Sequence, residues 1–186
     1  MPPKVKVSKE EIVKVAVNIV RESGADAVNA RNIASVLNCS TQPIFSNFEN
    51  MDELKLAVVA ACEEEFVQYM NREIDKGEYT AYKASGMSYI RFAAEEKELF
   101  KLLYMRDRTK EDISYESKIS NQIMGMVKDN TSLGDDAADL FHLEIWAFVH
   151  GIATMMATGY LKFDFDFISK MITDMYTGLK WQFEGK

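Results

Sequence analysis

Residues that break helices or cross-link chains are scarce in this sequence. Its 186 residues include three prolines, nine glycines and two cysteines. With so few breaks, long apolar periodicities favour an all-α fold. Cys39 and Cys62 are too few for a disulfide scaffold and too isolated for a metal knuckle, so we expect both to be small buried residues in a reducing compartment. The polar N-terminus lacks the apolar segment of a signal peptide, which predicts a cytoplasmic location.

Positive charge is also in short supply. The formal net charge is −7, which argues against broad, non-specific binding to nucleic acid. The imbalance is uneven, because residues 1–50 hold six Lys and Arg against five Asp and Glu, whereas residues 51–186 hold sixteen against twenty-four. Hydrophobic residues make up 47% of the chain, which is typical of a globular protein. A weakly basic first segment before an acidic body is compatible with a small DNA-contacting module.

One uncharged run approaches the length of a membrane span. It covers the seventeen residues 145–161, at the low edge of the length that crosses a bilayer. The run contains His150, Gly151, Thr154, Thr158 and Gly159. We therefore expect a helix that is buried in protein and no membrane partner.

Cap and turn residues predict three short helices in the first fifty residues. Ser8 and Glu11 have the spacing of a capping box, and Gly24 ends the helix that follows. Asn29 is expected to cap the second helix, and Asn38 suits the left-handed turn after it.

The third helix is expected to begin at a cap on Ser40, with Pro43 in its first turn. Two short helices joined by a tight turn, spanning residues 29–48, have the form of a helix-turn-helix that places its second helix in a DNA groove. We therefore expect a DNA-binding domain at residues 1–50.

The remaining residues are expected to form a helical domain at residues 51–186. A long helix at 51–76 would connect the two domains. Further helices are predicted at about 79–95, 98–105, 114–130, 135–159 and 164–183. The charged run at residues 95–98 is expected to be a solvated junction.

Two segments resemble a known family. Residues 8–60 resemble the DNA-binding domain of the tetracycline-repressor (TetR) family of bacterial regulators, through the pattern Asn29-x-Arg31-x-Ile33-Ala34, residues 40–48 and the pair Glu53-Leu54. Residues 144–151 are similar to the Trp…His-Gly pattern found in one subgroup of its C-terminal domains. The resemblance implies a homodimeric, one-component transcriptional repressor that a small molecule releases from a pseudo-palindromic operator.

The helix-turn-helix and the preceding basic segment supply the candidate DNA contacts. Short polar side chains at the start of a recognition helix reach base edges, and Gln and Asn are suited to adenine. The candidates are Arg31, Ser40, Thr41, Gln42, Pro43, Phe45, Ser46, Asn47, Lys4 and Lys6. Family members usually carry Tyr at Phe45, often His or an aromatic residue at Asn47, and Lys at Met51. The loss of a phosphate-contacting hydroxyl and a lysine predicts a weaker operator affinity than is usual in the family.

The second half has the composition of a ligand receptor. The chain's eleven Met, eleven Phe, eight Tyr and two Trp supply adaptable apolar walls with a few polar tips. Core packing alone would give the same composition, but the family resemblance favours a pocket for a small apolar or aromatic effector. Candidate lining residues are Tyr89, Phe92, Phe100, Leu103, Tyr104, Met124, Trp146, His150 and Met155.

No pattern in the sequence predicts catalysis, a metal or a cofactor. His142 and His150 lie eight residues apart, which is about 12 Å along a helix and too far for one ion. No Ser/His/Asp arrangement or glycine-rich phosphate loop is present. We therefore expect a protein that is not an enzyme, although buried carboxylates facing His150 would revive that alternative.

The last helix is apolar on more than one face, which predicts two partners, its own core and a second copy of the chain. The candidate dimer-interface residues are Ile168, Met171, Ile172, Met175 and Leu179. The main alternative to a regulator is a helical small-molecule-binding dimer in which DNA binding is weakened or lost, as Phe45 and Met51 suggest.

Overall fold

The computed structural model describes residues 7–107, 109 and 118–185. These described residues form nine α-helices and no β-strand, which confirms the predicted all-α fold. The helices are α1 (Lys9–Ser23), α2 (Ala30–Val36), α3 (Gln42–Asn47), α4 (Met51–Asp75), α5 (Ala81–Glu95), α6 (Lys97–Tyr104), α7 (Lys118–Asn130), α8 (Asp135–Thr158) and α9 (Phe165–Glu184). A 3-10 turn at Ala25–Ala27 is an additional element that the sequence pattern does not predict. The predicted start of α7, residues 114–117, lies outside the described residues.

The chain divides into two compact units. The first unit comprises Met1–Phe66 and Glu96–Arg106, and the second comprises Val67–Glu95 and Asp107–Lys186. Helix α4 therefore contributes residues to both units, and α6 belongs to the first. This division differs from the expected boundary at residue 50, because it places a later helix with the N-terminal three.

Helix α1 of the first unit begins and ends as its sequence predicts. The Ser8 Oγ accepts from the Glu11 amide at 3.1 Å, and the Glu11 carboxylate accepts from the Ser8 amide at 2.9 Å, so the capping box is confirmed. Gly24 follows the helix with a φ of +82°, and a Cβ there would lie 3.2 Å from the Glu98 carboxylate. Only glycine meets both conditions without strain.

The helix-turn-helix forms by local capping and turn chemistry. Asn29 caps α2 by accepting from the amides of Arg31 and Asn32, and Asn38 takes a φ of +51° in the turn. The cap predicted at Ser40 is wrong, because α3 begins after Thr41 and has no side-chain cap. Pro43 has no amide hydrogen that could donate to such a cap. Instead, the Thr41 carbonyl accepts hydrogen bonds from the amides of Ile44 and Phe45.

Helix α6 completes the first unit by packing against α1. Its buried face consists of Leu99, Phe100 and Leu103. The charged junction before it is not simply solvated, as the sequence pattern suggests. The Arg21 Nε donates to Glu96 at 2.9 Å, and another guanidinium nitrogen of Arg21 donates to Glu65 at 2.5 Å. A half-buried arginine therefore links residues of α1 and α4 with the residue before α6.

Helix α5 is the central helix of the second unit. It packs against α7, α8 and α9, which leaves nine of its residues buried: Tyr82, Ala84, Ser85, Met87, Ser88, Tyr89, Ile90, Phe92 and Ala93. Gly86 faces α8 and α9, since a Cβ built on it would lie 3.6 Å from Val149 and 3.9 Å from Ile172. A small residue at this position permits the close packing of α5 in the core of the unit.

Helix α8 contains the long uncharged run. Among the described residues it is the one helix long and apolar enough to cross a membrane, with 39% of its most apolar stretch buried. It packs against α5, α7 and α9, and Ala138, Phe141, Ile145, Val149 and Ile152 face the core. Helix α8 therefore gives one face to the core of its unit, but it is not buried on most sides as the sequence predicts, because less than half of its most apolar stretch is covered.

Candidate functional site

The helix-turn-helix presents polar side chains over an apolar base. Ile33, Ile44 and Phe48 are buried, with at most 2% of each exposed. Most of the candidate DNA contacts around them are exposed or half-buried: Arg31, Ser40, Gln42, Phe45 and Ser46 are exposed, and Thr41, Pro43 and Asn47 are half-buried. The segment therefore has the division between anchoring and exposed residues that a recognition helix requires.

Arg31 is placed at the start of α2. Its backbone amide donates to the Asn29 Oδ1 at 3.1 Å, and its side chain is exposed. Residues Asn29 to Asn32 line a surface depression at this helix start. A guanidinium at such a position is suited to phosphate or guanine.

Asn47 lies differently from the other candidates. Its Nδ2 donates to the Val7 carbonyl at 3.2 Å and to the Pro43 carbonyl at 2.8 Å. The side-chain amide is thus turned toward the backbone of its own unit. This orientation differs from the one that the adenine contact expected from the sequence would need.

The basic residues near the N-terminus fall into two groups. Lys9 forms an ion pair with Glu53 at 2.8 Å and lies 4.6 Å from the centre of the Phe48 ring. Its ammonium, together with the Glu49 amide, holds the pKa of the Glu53 carboxyl below its usual range. Lys4 and Lys6 lie outside the described residues. Lys9 is therefore neutralised locally and offers little net charge to a polyanion.

The candidate effector residues do not belong to one unit. Phe100, Leu103 and Tyr104 belong to the first unit, where Phe100 and Leu103 are buried. The other six belong to the second unit: Tyr89, Phe92, Met124, Trp146, His150 and Met155. Helical periodicity identifies residues that face a core but does not show which core each one joins.

Within the second unit, Tyr89, Trp146 and His150 form a polar and aromatic cluster. The Tyr89 hydroxyl and the His150 Nδ1 are joined by a hydrogen bond of 2.9 Å. The His150 ring stacks on Trp146 with a centroid distance of 4.9 Å and an interplanar angle of 16°. Burial lowers the pKa of His150, so the imidazole is neutral near pH 7. Trp146 is 39% exposed, and the cluster therefore extends from the core to the surface of α8.

A second Tyr–His pair lies between the same two helices. The Tyr82 hydroxyl and the His142 Nδ1 are 3.0 Å apart, and burial lowers the pKa of His142 against the opposing charge of Asp139. This pair is not among the predicted site residues. Its signal was the matched spacing of the tyrosines, seven residues apart, and the histidines, eight apart. These intervals are close to two helical turns, so both pairs fall along one seam between parallel helices.

The outer faces of α8 and α9 are apolar and exposed. Leu140 and Leu143 on α8 are 49% and 43% exposed, and Phe167 and Trp181 on α9 are 53% and 66% exposed. By contrast, the candidate interface residues Ile168, Ile172 and Leu179 are buried within the protomer, and Met171 and Met175 are half-buried. Since both stripes of α9 are apolar, its sequence alone does not show which one faces inward.

The remaining described residues offer little for other chemistry. No group of three or more His, Cys, Asp and Glu side chains among them is arranged to hold a metal ion. Cys62 is buried and Cys39 is half-buried, so the expectation of two buried cysteines holds for Cys62 only.

Comparison with known proteins identifies the family. Residues 82–176, just over half of the chain, match the family model described as the tetracyclin repressor-like C-terminal domain. A protein of unknown function from Rhodococcus sp. RHA1 shares the fold at 21% identity and a TM-score of 0.74, over 97% of this chain and 100% of that one. A TetR family member from Streptomyces coelicolor A3 shares it at 13% identity and a TM-score of 0.62, over 90% and 96%. No curated protein sequence matches this chain. The chain belongs to the TetR family of transcriptional regulators.

Proposed function

We propose that the protein is a cytoplasmic, homodimeric repressor that binds a pseudo-palindromic operator and is released from it by a small molecule. The observation that carries this proposal is the helix-turn-helix of the first unit, with Arg31, Gln42 and Ser46 exposed around a buried apolar base. Two such segments in a dimer would meet half-sites about one DNA turn apart. The proposal places the chain in the subgroup with the Trp…His-Gly pattern, on the strength of residues 146–151.

Selection of bound duplexes from a random pool tests DNA recognition directly. We expect a palindrome with half-sites about one turn apart. Arg31→Ala should weaken binding to the selected duplex, whereas Lys128→Ala, which removes an exposed cation from the second unit, should not. Equal losses in the two variants would indicate that only overall charge matters and would contradict recognition through α2 and α3.

The affinity should be modest and only weakly dependent on salt. Phe45 supplies no hydroxyl to a phosphate, and the charge of Lys9 is compensated by Glu53. Each lost phosphate contact lowers the salt dependence of binding by roughly one released ion. A salt titration whose slope corresponds to many released ions would contradict this expectation.

The effector is proposed to bind the second unit beside Tyr89, Trp146 and His150. The stacked Trp146 and His150 rings provide a flat apolar face with a polar edge, which suits an aromatic or apolar molecule. Such a compound should quench tryptophan fluorescence in the wild-type protein and much less in Trp146→Phe. It should also weaken operator binding, and a ligand that tightens binding would overturn the repressor-release mechanism.

The dimer is proposed to form through the exposed stripes of α8 and α9. Leu140, Leu143, Ala147 and Gly151 share one face of α8, and Phe167, Met171, Gly178 and Trp181 share one face of α9. Outside its own turn of helix, a Cβ on Gly151 or Gly178 would meet no described atom within 4 Å, so a partner helix has room to approach closely.

A negative charge introduced on this face should dissociate the dimer. We expect Leu143→Glu and Trp181→Glu to sediment as monomers at concentrations where the wild-type protein is a dimer. Leu56→Glu is the matched control, because Leu56 is an exposed apolar residue of α4 with 65% of its surface accessible. Dissociation by all three variants, or by none, would place the interface elsewhere.

A helical small-molecule-binding dimer without DNA binding is the second candidate. The observations that favour it are the missing hydroxyl at Phe45 and the local neutralisation of Lys9. Failure of a folded dimer to enrich any duplex would support this alternative and would refute the repressor.

A further inference from the structure

We propose that Arg91 forms a second ligand site in the second unit, one that binds the carboxylate of a small aromatic acid. Arg91 lies on α5 two residues after Tyr89, and residues two apart on a helix face in different directions. The site is therefore separate from the proposed effector site beside Tyr89, Trp146 and His150. It also stands independently of DNA binding by the first unit.

The guanidinium of Arg91 has few partners for a group so far withdrawn from water. The side chain is 24% exposed, and its Nε is closed off from solvent without a hydrogen-bond acceptor. Within the described part of the chain its contacts are the Glu73 carboxylate, 3.6 Å from Nη1, and the Phe165 ring, whose centre lies 5.1 Å from Cζ. A separation of 3.6 Å is too long for a hydrogen bond. Because a guanidinium has five N–H donors and buried polar groups are ordinarily hydrogen-bonded, this one is poorly compensated.

The two carboxylates best placed to compensate Arg91 are engaged elsewhere. The Glu73 Oε1 accepts from the Lys76 ammonium at 2.5 Å, which is closer than the other oxygen of Glu73 lies to Arg91. Glu95 lies one helical turn after Arg91 on α5, but its carboxylate accepts from the Tyr69 hydroxyl at 2.7 Å. Glu73 thus faces two cations with a single negative charge. A net positive charge is left at Arg91 for an external anion.

The chemistry around Arg91 indicates which anion fits. The planar fork of a guanidinium matches the two oxygens of a carboxylate. The guanidinium lies over the ring of Phe165, a half-buried residue at the start of α9, so apolar aromatic surface adjoins the charge. In this partly buried setting water screens the attraction less than it does at an open surface. A carboxylate joined to an aromatic ring can therefore pair with Arg91 while its ring packs against Phe165.

Benzoate is the probe for this site, and benzamide is its uncharged counterpart of nearly the same shape. The Nε–H group of Arg91 reports binding in a proton–nitrogen correlation spectrum of the whole chain, since a proton closed off from solvent exchanges slowly enough to be observed. Arg91→Lys assigns the signal by removing it. At constant ionic strength we expect saturable shifts with benzoate, in the millimolar range of Kd, and none with benzamide.

Two methionine variants test whether the charge of Arg91 holds the ligand. The backbone amide of Phe165 follows benzoate binding in both variants. Arg91→Met should weaken binding by about tenfold or more, the usual effect of losing a hydrogen bond to a charged group. Arg72→Met is the matched control, because it removes an exposed arginine of α4 from the same unit. Its affinity for benzoate should stay within about twofold of the wild-type value.

The remaining outcomes would overturn the inference. Absence of a benzoate-dependent shift at the Arg91 Nε–H, or equal losses in the two methionine variants, would show that Arg91 does not bind the probe. Equal shifts with benzamide or with inorganic phosphate would contradict the carboxylate assignment. If Arg91→Met does not fold, Arg91→Lys decides, because lysine keeps the charge but lacks the planar fork, and undiminished binding would refute the site. None of these measurements uses DNA, so the proposed repressor succeeds or fails separately.

Discussion

The close packing around Gly86 makes a quantitative prediction for the second unit. Alanine is more stable than glycine in a helix interior by roughly 0.5–1 kcal/mol. At Gly86 the added methyl would also make ordinary contacts, 3.6 Å from Val149 and 3.9 Å from Ile172. Burial of a methyl group adds up to about 0.8 kcal/mol. Gly86→Ala should therefore raise the free energy of unfolding by about 1–1.5 kcal/mol.

A second glycine provides the control. Gly125 lies inside α7, and a Cβ there would meet nothing within 4 Å. Gly125→Ala should therefore gain the helix-propensity contribution alone, about 0.5–1 kcal/mol. The difference between the two variants measures the packing of one methyl group against α8 and α9.

Urea unfolding followed by tryptophan fluorescence is the appropriate assay. Both tryptophans of the chain, Trp146 and Trp181, belong to the second unit, so the signal reports that unit. Protein concentration is held fixed, because dimerisation would shift the apparent midpoint. Destabilisation by Gly86→Ala together with stabilisation by Gly125→Ala would refute the reasoning, since α5 would then approach its neighbours more closely than the structure shows.

Two further predictions concern titratable groups. Burial lowers the pKa of His142 and His150, so the unfolded chain takes up protons at a higher pH than the folded chain does. Their contribution to the free energy of unfolding is therefore fully present above about pH 6.5 and is lost as the pH falls below that value. The two are the only histidines in the chain, so a double Gln variant should lose this pH dependence in urea titrations, and its persistence would assign it to other groups. Burial raises the pKa of Cys62 to about 12, so a thiol reagent should modify Cys39 rapidly and Cys62 only after unfolding, and rapid labelling of both would contradict this.

Features controlled by neighbouring residues could be predicted from the sequence. The capping box at Ser8, the cap at Asn29 and the left-handed turn at Asn38 each depend on backbone groups within a few residues. The helices after residue 50 were equally accessible, because an apolar period of 3.6 residues identifies a helix without reference to its partners.

Features that depend on residues distant in the chain could not be predicted from the sequence. The partner of Asn47 is 40 residues away, that of Arg21 at Glu96 is 75 away, and that of Tyr82 at His142 is 60 away. Periodicity also does not distinguish the two apolar stripes of α9, so Ile168 was assigned to an interface although it is buried in the core. Among the candidate DNA contacts of α2 and α3, Arg31, Gln42, Phe45 and Ser46 are exposed as predicted, because short helices leave few alternatives for their outward faces.

The discontinuous first unit has a consequence for building chimeras. Its apolar core includes Leu99, Phe100 and Leu103 of α6, and its half-buried arginine Arg21 is paired with Glu96. A fragment that ends at residue 50 or 76 would lack Leu99, Phe100 and Leu103 and the Glu96 partner of Arg21. It would also expose the face of α1 that α6 covers. Exchanging operator specificity between relatives therefore requires transplanting two separate stretches of gene, one for the N-terminal helices and one for α6, or changing only the exposed side chains of α2 and α3 on the resident scaffold.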